Sequence, residues 1–316
     1  MSKSKKVFLE YIEEFKAFAI AQSELATLKE SGTTAEIRLP QSVSGKTDPM
    51  APTLGVLLGQ DTAKNGEKYY SIGLNYVQAL KNTGANLRFI DFDNAYAEAK
   101  PCDGAVLIGG AFDNPESFFI DGKDMGAKEG KRFFAYKSII NEAYAAKKPM
   151  LGICAGAQMI GALLGAMKMY RSIKDEVPEH AVHKPKKETD VKMHAIKLLK
   201  DTPIFAIMDI KENENRVMIN SRHTQAMVHG ALQDYVKEKP LVKMDLYAIS
   251  EADGVPEIWG NEKAGILCIQ GHPEDLAARG DEKMQKLYNH IAQLAEKYHK
   301  TKRNAKIPLK NKENTR

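Results

Sequence analysis

Residues 149–161 read PMLGICAGAQMIG. An apolar run, MLGIC, follows a proline and passes directly into a helix of small residues, so the segment reads as a strand turning sharply into a helix. Cys154 stands at that turn, with Gly152 and Gly156 each two residues away. Cysteine is ordinarily a small buried hydrophobe. Glycine on both sides instead clears space around the sulfur. A strand-to-helix elbow strains the backbone of its central residue and lifts the side chain clear of the sheet. The following helix N-terminus favours a thiolate there. The N–H of Ala155 would point at the oxyanion that forms when a carbonyl is attacked. Taken alone, the segment fits a structural cysteine at a tight turn as well as it fits a nucleophile.

The same strand–helix alternation extends outward from the elbow. TLGVLLG (53–59), NLRFIDF (86–92) and AVLIGG (105–110) read as strands, with SIGLNYVQALKNTGA and KRFFAYKSIINEAYAAKKP as helices between them. Beyond residue 172 the strands are shorter (HAIKLL, RVMINS, YAISE, GILCIQ), and a helix near 281–299 ends the pattern. Alternation at these lengths predicts an α/β fold with an open, mostly parallel sheet and helices on both faces. Ligands in such sheets bind beyond the carboxyl ends of the strands, where Cys154 and the Gly109–Gly110 turn would both lie.

Four regions follow from composition: an amphipathic helix over 1–30, a Ser/Gly/Thr/Pro-rich linker over 31–52, the α/β domain over 53–296 and a basic tail over 297–316. The helix would by default pack on its own body or on a second copy, giving a homodimer. The net charge of +5 on 316 residues is local. The tail holds eight Lys/Arg and one Glu, and the rest of the chain carries −2. The tail therefore reads as a solvated extension, and nucleic-acid binding is not expected without interleaved aromatics elsewhere. Glu10, Glu13, Glu14 and Lys16 interrupt any secretory apolar core at the start. No run approaches a membrane span. Three scattered cysteines suit a reducing compartment. The expectation is a cytoplasmic protein.

A nucleophilic cysteine needs a base. In GILCIQGHPEDL, His272 ends an apolar strand and Glu274 follows two residues later. That strand would deliver the imidazole to the edge that carries Cys154, and Glu274 could orient the ring and stabilise its cation. GICAGAQ and QGHPE, in that order and about 120 residues apart, resemble the class I glutamine amidotransferase superfamily. The nearer resemblance is to its γ-glutamyl-γ-aminobutyrate hydrolase (peptidase C26-like) group, over about 53–295. It includes YVQALKNTGANLRFI, DGAVLIGGAFDNPESFF and VMINSRHTQAM.

The resemblance implies a flavodoxin-like fold and a Cys154–His272–Glu274 triad without cofactor or metal. It implies Gly110 as a second oxyanion donor beside Ala155. It also implies Gln158, Ser221, Arg222 and His223 as residues beside a γ-glutamyl pocket. The expected activity is hydrolysis of a γ-glutamyl amide through a thioester. The alternatives are a glutaminase subunit feeding ammonia to a separate synthetase, and a catalytically silent binding module. Three positions depart from the family pattern: Ile108 where proline is frequent, Phe112 where aspartate is usual, and Gly271 where an aromatic residue commonly precedes the histidine. Gly271 would leave slack beside His272. EHAVH (179–183) places two histidines three apart, but with no third ligand nearby it reads as a surface loop. Cys102 and Cys268 read as core thiols. Gly109–Gly110 lacks the context of a nucleotide-binding motif.

Overall fold

A computed structural model describes residues 27–31, 34–39, 41–44, 47–62, 66–110, 114–122, 130–177, 183, 192–228 and 239–306. Along the chain come β1 (Thr27–Ser31), β2 (Thr34–Leu39), β3 (Val43–Ser44), β4 (Thr53–Leu57), β5 (Gly59–Thr62), β6 (Lys68–Gly73), α1 (Leu74–Lys81), β7 (Asn86–Ile90), α2 (Ala95–Ala99) and β8 (Gly104–Leu107). Then come α3 (Lys131–Ala145), β9 (Met150–Ile153), α4 (Ala155–Gly165), β10 (Met169–Tyr170), α5 (Ile173–Glu176), β11 (Lys192–Leu198) and α6 (Ile204–Met208). The last elements are β12 (Arg216–Ser221), β13 (Ala226–Met227), β14 (Asp245–Ser250), β15 (Pro256–Asn261), β16 (Ile266–Ile269), α7 (Pro273–Ala277) and α8 (Glu282–Lys306).

One ten-stranded sheet, in the order β12-β11-β14-β15-β16-β9-β8-β4-β7-β3, carries the domain. Its heart, β7-β4-β8-β9-β16, is parallel. Numbered in chain order those five strands run 2-1-3-4-5, the flavodoxin-like arrangement. Their side chains explain the choice. Leu54, Val56 and Leu57, Val106 and Leu107, Leu151 and Ile153, and Leu267 and Ile269 are all buried. Strands covered on both faces need such near-continuous apolar runs. The other half, β16 to β12, pairs antiparallel throughout. The α/β expectation holds, with an antiparallel half-sheet that alternation alone did not indicate. Among the described residues no helix is long and apolar enough to cross a membrane.

Two regional readings need correction. Residues 31–52 are not simply a linker, because β2 pairs with β6 in a small antiparallel sheet, β1-β2-β6-β5, and β3 lines the edge of the main sheet at β7. Ile37 and Leu39 are buried there. The alternation TAEIRL is a period-2 signal that the surrounding Ser/Gly/Pro content masks. The tail reading also shifts, since α8 continues to Lys306 and packs back on the body. His299 Nδ1 and Lys302 Nζ reach the two oxygens of buried Asp103 at 2.8 and 3.2 Å. Residues 307–316 lie outside the described residues. So does the expected N-terminal helix, apart from its final residues, where β1 stands instead.

Candidate active site

The elbow is built as its glycines require. Cys154 has φ 51° and ψ −112°, a left-handed region that a side-chain-bearing residue enters only under constraint. Its N–H donates to Ile269 O at 2.8 Å, and its carbonyl accepts from Gln158 N at 3.0 Å. These bonds fix it between the end of β16 and the first turn of α4. A Cβ at Gly152 would lie 2.7 Å from Ala157 Cα, and one at Gly156 would lie 2.0 Å from Leu107 O. No side chain fits at either position. The two glycines let α4 start directly against β8 and β9, and the sulfur is left partly exposed. By contrast, Cys102 and Cys268 are buried, with burial pushing the Cys102 thiol up to about 11 and Cys268 well above its ordinary value.

β16 delivers His272 to the same edge. Its Nδ1 lies 2.7 Å from Glu274 Oε1 and both residues are buried, so the Nδ1–H donates to the carboxylate and Nε2 is left for the sulfur. Burial alone would push the imidazole down. The Glu274 charge and the hydrogen-bonded Cys154 outweigh it, holding His272 well above its ordinary value. Sequence reasoning pairs these three residues, and the fold brings them together.

The glycine turn after β8 presses on both reacting side chains. A Cβ at Gly109 would lie 3.0 Å from Cys154 Cβ and 3.0 Å from His272 Cε1. Gly110 has φ +144°, and a Cβ there would meet Arg132 Nη2 at 2.7 Å. From α3, Arg132 Nη2 donates to Gly109 O at 3.1 Å, and Tyr136 Oη donates to Ile108 O at 2.6 Å. The carbonyls are thus held from one side. Ala155 opens α4, where the first-turn N–H groups have no intrahelical acceptor. Phe112 lies outside the described residues. The slack expected at Gly271 is absent, because a Cβ there would meet Ile219 Cδ1 at 2.7 Å and Asn220 O at 2.8 Å. The crossing of β12 fills that space.

The four residues expected beside the substrate separate. Gln158 is buried, with its Nε2 on Gln225 O and Gln270 Oε1, each at 3.2 Å, and its Oε1 accepting from Asn114 at 3.4 Å. Ser221 is buried, and its hydroxyl makes no hydrogen bond. Arg222 does pair with a carboxylate, but one from its own chain, Asp275. His223 is enclosed elsewhere, with Nδ1 2.9 Å from Gln225 O and its ring packed 4.7 Å from that of His183. Burial, against the pull of Glu257, lowers the His223 imidazole below its ordinary value. His183 is itself buried, which overturns the surface-loop reading of EHAVH. Its partners arrive from β11, β15 and the turn after β12, beyond the reach of local spacing.

Two positions at the site escaped sequence reasoning. Tyr76, on α1, accepts the Gly109 N–H at 3.2 Å and lies 3.4 Å from His272 Nδ1. Burial, with the Glu274 charge nearby, pushes its phenol well above the ordinary value. Asp275 gathers Asn75 Nδ2 and Asn220 Nδ2, each at 2.8 Å, together with Arg222. Its place beside Glu274 in GHPED was its only local signal.

The Peptidase C26 family model matches residues 55–274. A glutamine amidotransferase-like protein of Lactococcus lactis subsp. lactis, YvdE, is 27% identical over 177 residues, which are 54% of this chain and 66% of that relative. Among solved structures, a GMP synthase protein from Thermoplasma acidophilum superposes with a TM-score of 0.50 at 15% identity, over 80% of this chain and 98% of its own. The Trypanosoma brucei CTPS glutaminase domain gives 0.49 at 15% identity, over 77% of this chain and 94% of its own. The family match runs from β4 through the glycine turn and the elbow to Glu274, and on that span the chain belongs to the Peptidase C26 family of the class I glutamine amidotransferase superfamily.

Proposed function

We propose that this chain is a cysteine amidohydrolase that cleaves the γ-amide bond of a γ-glutamyl amine. The observation that carries the reading is the joining of a strained elbow cysteine, φ 51°, to a buried imidazole whose other nitrogen is tied to Glu274 at 2.7 Å. Cys154 Sγ attacks the γ-carbonyl carbon. The carbonyl electron pair moves onto oxygen, which the N–H groups of Ala155 and Gly110 stabilise. His272, kept protonated by Glu274, gives its Nε2 proton to the amine nitrogen as the C–N bond breaks. The γ-glutamyl thioester that remains is attacked by water, with His272 taking the water's proton. Collapse returns the thiol and releases glutamate, and the reaction needs no redox partner. Gln158, Ser221 and Arg222 are the candidates for holding the glutamyl head. A substrate would add to or exchange with the Gln225, Gln270 and Asp275 contacts that Gln158 and Arg222 already make.

The test is glutamate release from γ-glutamyl-aminobutyrate, γ-glutamyl-putrescine, γ-glutamyl amino acids and glutamine, with Cys154→Ala in parallel. Cysteine-dependent release from a γ-glutamyl amine supports the reading. Release from glutamine alone would replace it with a glutaminase. Release that survives Cys154→Ala would end it.

A further inference from the structure

Away from the triad, four buried side chains converge from separate parts of the chain. His183 comes from the segment before β11, His194 from β11, His223 from the turn after β12, and Glu257 from β15. His183 Nδ1 and His223 Nε2 lie 3.4 and 3.5 Å from the same oxygen, Glu257 Oε1. Yet neither nitrogen makes a hydrogen bond, and Glu257 Oε2 has no partner either. Buried polar atoms left in this condition need an explanation.

Their opposite ends supply one. The Nε2–H of His183 donates to Asp253 Oδ2 at 2.8 Å, and the Nδ1–H of His223 donates to Gln225 O at 2.9 Å. Each imidazole therefore spends its proton on the outer side and turns a lone pair inward. This is how a carboxylate or carbonyl orients a metal-bound histidine. A tetrahedral zinc ion with bonds of about 2.0–2.1 Å places its ligand atoms roughly 3.3–3.4 Å apart. The two contacts to Glu257 Oε1 match that edge. An octahedral ion with bonds of about 2.1 Å would need roughly 3.0 Å. His194 Nε2, 3.0 Å from the same oxygen, steadies the carboxylate.

We propose that His183 Nδ1, His223 Nε2 and Glu257 form a structural divalent transition-metal site, best suited to zinc, with Glu257 Oε2 available as the fourth ligand atom. Among the described residues this is the one group of histidine, cysteine and carboxylate side chains whose ligand atoms all come together, within 4.8 Å of one another. The donor set, two imidazoles and a carboxylate, suits zinc and its first-row neighbours rather than calcium or magnesium. The ion would fasten the 183 segment and the turn after β12 to β15. Glu257 O in turn accepts from Gln270 N, two residues before His272. The site would brace the frame of the triad without touching substrate.

The deciding experiment uses the full chain, with Cys154→Ala as the background so that the thiol cannot bind metal. Metal content is measured by mass spectrometry as purified, after chelation, and after reloading with Zn2+ or Co2+. The expected result is one ion per chain, a melting temperature that falls on chelation and recovers with Zn2+, and visible tetrahedral bands with Co2+. Asp253→Asn should weaken the affinity about 10–100-fold, and Glu257→Gln should abolish the stoichiometric ion. A chain that takes up neither metal and melts at one temperature throughout would overturn the site. So would a folded Glu257→Gln chain that keeps its ion. Should Glu257→Gln fail to fold, stripping and reloading of the parent chain still decide.

Discussion

Tyr76 Oη sits between the glycine turn and the catalytic base, accepting the Gly109 N–H at 3.2 Å while lying 3.4 Å from His272 Nδ1. It touches no reacting atom and acts as a positioning residue. Tyr76→Phe keeps the ring and leaves a buried N–H without an acceptor, which costs about 1–3 kcal/mol. The expected outcome is that loss of stability in urea, with a kcat that falls roughly tenfold at little change in KM. Kinetics identical to the parent would show that the turn does not need the phenol.

Glu274 sets the acid form of the base. Because His272 is held well above its ordinary value, the proton it gives to the leaving amine persists past neutral pH. The alkaline limb of kcat should accordingly lie above pH 6.5. Glu274→Gln removes the charge that raises His272 and should move that limb down in pH, with kcat lower by about 10²–10⁴-fold. The stability effect has a fixed sign. A folded value raised above the unfolded one stabilises fully below about pH 6.5 and is lost as pH rises through the folded value. A limb that does not move in the variant would remove Glu274 from the triad.

The elbow itself can be tested by size. A Cβ at Gly156 would come within 2.0 Å of Leu107 O, a backbone atom that cannot step aside, whereas nothing lies within 4 Å of one at Gly130. Gly156→Ala should destabilise the fold by about 1–3 kcal/mol or more, and Gly130→Ala should be close to neutral. Equal denaturation midpoints for the two variants would contradict the packing of α4 on β8.

These contrasts show what a single sequence carries. Gly152, Cys154 and Gly156 announced the elbow because their constraint is local, a helix started within two residues of a strand. His272 and Glu274 were legible because they share one short segment at a strand end. Tyr76, Asp275 and Glu257 were not, since each gains its role from partners far along the chain. Asn75 and Asp275, for example, are 200 residues apart. The slack expected at Gly271 failed for the same reason, as the group that fills it belongs to β12. His223 sits in a motif that suggested substrate contact, and only the fold reveals that its neighbours are Glu257 and His183. β2 went unread because a six-residue strand in polar company has a weak pattern.

Arg222 and Asp275 give the last prediction. The Asp275 carboxylate is buried and takes Asn75, Asn220 and Arg222, while the Arg222 side chain is 29% exposed. Were Arg222 chiefly a substrate ligand, Arg222→Ala would raise KM and leave stability alone. The pairing points the other way. Removing the guanidinium leaves a buried carboxylate with two amide donors, and the Asn220 crossing loosens, with its carbonyl 3.0 Å from His272 N. The expected outcome is a stability loss of about 1–3 kcal/mol, discounted for the partial exposure of the arginine, and a fall in kcat larger than the rise in KM. Asp275→Asn should cost stability as well, and the double variant should lose less than the two single losses added together, as residues in one network do. Additive losses, or a pure KM effect in Arg222→Ala, would return Arg222 to the substrate pocket.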